Sequence, residues 1–106
     1  YAGVGDGSRW ARWSFPNNRE CTGEIYGRWV TYFPDTPWSR SPEAPYTILN
    51  NDVEIGTTTA DHGRDHGQFV LLGTFDLAPG TVEVVLNDVP TGYVIADAVK
   101  IVSHYP

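Results

Sequence analysis

The sequence predicts an all-β chain folded as a two-sheet antiparallel sandwich, on three observations. Eleven glycines and eight prolines interrupt every window long enough to hold a helical period. Apolar residues instead alternate along short runs, with turn-forming residues about every 8–12 positions, the spacing of a sandwich. The length of 106 residues, 41% hydrophobic with four Trp, six Tyr and four Phe, provides for one domain around one layered core.

The elements follow in order. Residues 1–9 carry glycines at 3, 5 and 7 and read as a Gly-rich arm ahead of a single domain over 10–106. Trp10 to Phe15 alternates, placing Ala11, Trp13 and Phe15 on one face until Pro16-Asn17-Asn18 ends the run. Glu24 to Phe33 puts Ile25, Gly27 and Trp29 on one face and Tyr26, Arg28 and Tyr32 on the other, as a central strand. Prolines at 34, 37, 42 and 45 cannot sustain a ladder, so Pro34 to Pro45 is a long surface loop of the kind that carries function. Tyr46 to Leu49 and Val53 to Ala60 form a hairpin about Asn50-Asn51-Asp52.

After the polar loop Asp61 to Gly67, the nearly continuous apolar run Gln68 to Leu77 reads as a strand covered on both faces or at a sheet centre. Ala78-Pro79-Gly80 turns the chain into Val82 to Leu86, and Tyr93 to Val102 forms the last strand. On these faces Trp13, Trp29, Phe69 and Phe75 belong to the core. Trp10, Tyr26, Tyr32, Trp38 and Tyr93 fall on alternate faces or in loops.

Charge and motifs narrow the function classes. Lys100 is the one lysine, and a net charge of −6 leaves no basic stripe for a nucleic-acid backbone. No apolar run approaches the roughly 20 residues of a membrane span. Cys21 is alone, cannot close a disulfide within the chain, and is expected as a small buried hydrophobe. There is no Gly-x-Ser-x-Gly elbow and no phosphate loop, and Ser103 and His104 are adjacent at one strand end. Asp76, Glu83 and Asp88 give no sign of converging as a glycosidase pair. The loop from Asp61 to His66 clusters metal-ligand types, but its glycine punctuation favours a structural or solvated role. The chain is therefore expected to be no enzyme, with no cofactor and no metal.

Several blocks carry a family resemblance: Ala44-Pro45-Tyr46-Thr47-Ile48, then Gly67-Gln68-Phe69 with Leu71-Leu72-Gly73-Thr74-Phe75, then Gly92-Tyr93-Val94-Ile95-Ala96-Asp97-Ala98-Val99. Together with Ile25-Tyr26-Gly27-Arg28-Trp29 they resemble the golvesin C-terminal domain, also described as a xanthan-lyase-associated, carbohydrate-binding-like domain, over about Trp10 to Val102. The resemblance implies a sandwich of jelly-roll type, appended to bacterial extracellular proteins and often beside polysaccharide-degrading domains. It also implies an additional N-terminal strand before the position of Trp10, which this chain lacks. A sheet without that strand has an edge of unpaired main-chain groups that needs cover.

Two functions are expected from these residues. One is an extracellular structural module at a microbial surface or matrix, associating with copies of itself or with a neighbouring chain that completes the sheet. Its assembly edge is Trp10, Ala11, Trp13 and Phe15, and head-to-tail addition there builds fibres. The alternative is a carbohydrate-binding module attached to a polysaccharide-acting enzyme. In that case Trp38, Tyr32, Tyr26, Tyr93 and Trp10 stack on sugar rings while Arg40, Asn50 and Asn51 bind hydroxyls. Trp29 is expected as core, and Asp97 as a structural carboxylate paired with Arg28.

Overall fold

The computed structural model of the chain describes residues 10–29, 43–62, 67–87 and 98–105. Seven strands run in order: β1 (Trp10–Asn17), β2 (Cys21–Arg28), β3 (Ala44–Asn50), β4 (Val53–Ala60), β5 (Phe69–Leu77), β6 (Gly80–Asn87) and β7 (Ala98–His104). They form a four-stranded sheet, β1-β6-β3-β4, and a three-stranded sheet, β5-β2-β7, antiparallel throughout. This is the two-sheet sandwich that the alternation predicts. No helix occurs among the described residues, so none is long and apolar enough to cross a membrane.

The inward faces build one core. Ile25 from β2, Tyr46 and Ile48 from β3, Leu72 and Leu77 from β5, and Val82, Val84 and Leu86 from β6 are buried together with Cys21 and Ala44. Trp29 is buried as well, just past the end of β2. The central place of β2 in its sheet follows from its small inward residues. A Cβ on Gly23 would lie 2.5 Å from Leu77 Cδ1, and one on Gly27 would lie 3.2 Å from Leu72 Cδ1.

All short turns fall at one end of the sandwich. Residues 18–20, 51–52 and 78–79 join β1 to β2, β3 to β4 and β5 to β6 there, and β7 ends beside them. Asn51 (φ 53°) and Asp52 (φ 66°) are both left-handed, as a two-residue hairpin turn matched to strand twist requires. The asparagine side chains then tie the turns together. Asn50 Nδ2 donates to the carbonyls of Ala78 (3.2 Å) and Thr81 (3.3 Å), while its Oδ1 accepts from Ala78 N at 2.7 Å. Asn51 Nδ2 donates to Pro79 O and its Oδ1 accepts from Thr81 N, both at 2.9 Å. Asn17 Nδ2 reaches the same Ala78 carbonyl at 2.8 Å. β2, β4 and β6 end, and β3, β5 and β7 begin, at the opposite end.

Several strand limits differ from the sequence expectation. β1 continues two residues through Pro16, which an edge strand tolerates because a missing N–H there need not break a ladder. β2 starts earlier, at Cys21, and β7 extends to His104. Residues 93–97, expected in the last strand, lie outside the described residues.

The larger correction concerns β5, which lies at the edge of its sheet rather than at a centre. Its register shifts between Ile25, opposite Gly73, and Tyr26, opposite Leu71. Leu72 is thus an extra residue, a bulge that reverses which side chains face inward. Phe75 and Leu77 pack on the core, whereas Phe69 and Leu71 turn outward, 40% and 50% exposed. Phe69 is therefore not a core residue.

Candidate functional site

The two sheets meet differently on their two long sides. On one side β4 faces β5, and Phe75 fills the gap between them. A Cβ on Gly56 of β4 would lie 2.5 Å from Phe75 Cε1, and one on Gly73 would lie 2.9 Å from Cε2 and Cζ. These glycines leave room for the ring and nothing larger, so this side is closed.

On the other side residues of the edge strands β1 and β7 line one cavity instead. Trp13 and Phe15 from β1 and Val99 and Ile101 from β7 are only half-buried against the core. Phe15, Leu77, Val82 and Ile101, with Pro16, Asn17 and Ser103, line a cavity of about 160 Å3 there. Among the described residues no strand lies beyond β1 or β7. β1 is held on its inner flank by eight successive pairings with β6, from Trp10 opposite Asn87 to Asn17 opposite Gly80. The Arg12 guanidinium, 3.2 Å from Glu83 Oε2, and the Ser14 hydroxyl, donating to that oxygen at 3.4 Å, fasten the same pair on the outer face. Because Arg12 is half exposed, this ion pair contributes little, about 0–1 kcal/mol.

A second surface is the outer face of the three-stranded sheet. Register sets Arg28 between Phe69 and Ala98, and Tyr26 between Leu71 and Lys100. The Lys100 ammonium lies 4.4 Å from the Phe69 ring centroid and 4.9 Å from that of Tyr26, so one cation serves two aromatic faces. Further along, His104 Nε2 and Glu24 Oε1 are 3.0 Å apart, and this contact holds the Glu24 carboxyl below its ordinary range. Burial and the Glu24 charge push the Tyr26 phenol up.

At the long-loop end His62 is fully buried. Its ring stacks on Trp29 (centroids 4.6 Å, 23° between planes), and Nε2 lies 2.8 Å from the Tyr46 hydroxyl. Burial raises the Tyr46 pKa, keeping the phenol neutral and able to hydrogen-bond. His62 therefore has the structural role, forming a polar contact within an apolar interior. Nothing in the glycine-punctuated sequence around it signals that burial. Among the described residues no three His, Cys, Asp or Glu side chains form a metal-holding group.

The expected site residues divide accordingly. Ala11, Trp13 and Phe15 share one half-buried face of an edge strand, and Trp10 pairs with Asn87 at its start. Tyr26 is on the outer face with Arg28, and Trp29 is core. Tyr32, Trp38, Arg40, Tyr93 and Asp97 lie outside the described residues. The Asn50 and Asn51 amide groups are engaged in tying turns together. Cys21 is buried, its Sγ donating to Asn17 Oδ1 at 3.6 Å. Alternation along the sequence does not point to Phe69, Leu71 and Lys100 as a surface, because their shared exposure depends on a bulge that it does not reveal.

No curated protein and no solved structure matches the chain. A family model does match, over residues 1–103 and so over nearly the whole length. With the two-sheet sandwich observed, that match places the chain in the golvesin C-terminal domain family.

Proposed function

We propose that this is a non-catalytic extracellular module that associates with copies of itself by strand addition at β1. Domains of this family are typically extracellular, which supports the location. The observation that supports the mode is the β1–β7 side, where Phe15 borders a cavity beside a sheet edge and Trp13, on the same face of β1, is only partly buried. A strand from a neighbour laid along β1 takes up main-chain hydrogen bonds and covers those rings. If each copy gives a segment to one neighbour and receives one from another, with a rotation that does not close, fibres result.

Light scattering with negative-stain imaging over rising concentration tests this, on the whole chain and on Trp13→Lys. Concentration-dependent oligomers or filaments, lost in the charged variant, are expected. A whole chain that stays monodisperse and monomeric at every concentration overturns the proposal.

A second reading, polysaccharide binding, is favoured by the outer face of the three-stranded sheet. Tyr26 and Phe69 lie there beside exposed Leu71 on rigid strands, and flat aromatic surface of this kind suits the apolar faces of sugar rings.

A further inference from the structure

We propose that the outer face of the three-stranded sheet selects carboxylated sugar units within a polysaccharide, with Lys100 as the selecting group. The inference rests on the polysaccharide-binding reading and adds the chemical class of the ligand.

Lys100 is exposed, and its ammonium lies over both aromatic rings of the face, 4.4 Å from Phe69 and 4.9 Å from Tyr26. A sugar ring that stacks on either aromatic must take the place of that cation. A neutral sugar offers the displaced ammonium nothing beyond what water offers. A sugar carrying a carboxylate takes the aromatic face and at the same time supplies a partner for the displaced charge, through a charge-assisted hydrogen bond. The lysine therefore penalises one class of sugar and not the other, and discrimination arises as a difference of two affinities.

Nearby charge supports this placement. Arg28 stands next to Tyr26 along the same face of β2, opposite Phe69, so two cations flank the aromatic pair. Glu24, one outward position further along β2 and about 7 Å away by strand rise, sets a carboxylate against the Tyr26 phenol and is engaged with His104 as well. The chain as a whole is acidic, at −6, but charges beyond about 8 Å are screened at physiological ionic strength. That overall charge also repels polyanions elsewhere on the surface, so binding of a polyuronate needs a local cationic site.

The test measures retention and calorimetric affinity of the whole chain for polygalacturonate and alginate. Comparison ligands are the carboxyl-reduced form of each polymer and poly-glutamate. Lys100→Gln, Lys100→Arg and Phe69→Ala are compared, with circular dichroism confirming the fold. A preference of about tenfold or more for an acidic polysaccharide over its reduced form is expected, lost in Lys100→Gln and kept in Lys100→Arg. Loss of affinity in Phe69→Ala is expected as well. Equal binding of acidic and reduced polymers overturns the selectivity while leaving the polysaccharide reading standing. Binding to none of the polysaccharides removes both, and equal binding of poly-glutamate would show an acidic-peptide site instead.

Discussion

The two long sides of the sandwich use the same kinds of residue to opposite effect. Along β4 and β5, Phe75 sits in a notch made by Gly56 and Gly73, and the absence of two β-carbons lets the sheets close on it. Along β1 and β7, Trp13, Phe15, Val99 and Ile101 supply more apolar surface and are partly buried, as Phe75 is, yet Phe15 and Ile101 border a cavity of about 160 Å3. Closure thus depends less on the quantity of apolar side chain than on whether the facing backbone leaves space for it. The open side retains apolar area that a further strand could bury, at about 25 cal/mol per Å2.

Substitutions on the two sides separate these roles. The largest effect is expected for Phe75→Ala, which empties the glycine notch and costs about 3 kcal/mol, at the low end for a core phenylalanine because the ring is not fully buried. The matched Phe15→Ala on the open side, where the ring already borders a cavity, is expected to cost the isolated chain less, about 1 kcal/mol, and to weaken self-association much more. Urea denaturation in dilute solution measures both, and equal losses would mean that the two sides are packed alike.

Gly56→Val comes next. Its side chain meets Phe75 Cε1, and overpacking of this kind costs about 1–3 kcal/mol. An unchanged urea midpoint would show that the closed side has slack. The smallest effect concerns the tie from β2 to β7 at Glu24 and His104, which is solvent-exposed. His104→Ala should return the Glu24 carboxyl upward to its ordinary value, read by NMR titration. A carboxyl held low when folded favours the folded state above its unfolded pKa and loses that contribution as pH falls through the folded value. In the wild type that contribution is present near neutrality and lost only at acidic pH, so the small cost of His104→Ala is expected near neutrality and fades as the pH falls.

Much of this difference is legible in the amino-acid sequence. The β-class, the β3–β4 hairpin, the shared face of Ala11, Trp13 and Phe15, and the central place of β2 all follow from alternation and turn chemistry, whereas the partial exposure of Trp13, expected as core, does not. What alternation does not reveal is set by single-residue shifts in phase. The apparently continuous core strand is an edge strand, and the bulge at Leu72 turns its Phe69 and Leu71 outward. A one-residue insertion alters no composition and leaves both halves of the strand looking regular. The engagement of Asn50 and Asn51 is hidden for a different reason. Local sequence specifies their turn, while the Ala78, Pro79 and Thr81 atoms that occupy them come from about 30 residues further along the chain.

That reach along the chain has a consequence in time. Among the described strands only β3 and β4 are joined as a hairpin, whereas Ser14 meets Glu83 across 69 positions and Glu24 meets His104 across 80. Folding must close long loops before most pairings bring any reward, so slow, millisecond-to-second kinetics are expected. The β3–β4 hairpin can form early by itself. During synthesis β1 must wait for β6, and β2 for β5 and β7, with their apolar faces uncovered. The interval in which this protein is most exposed to mispairing is therefore built into its strand order.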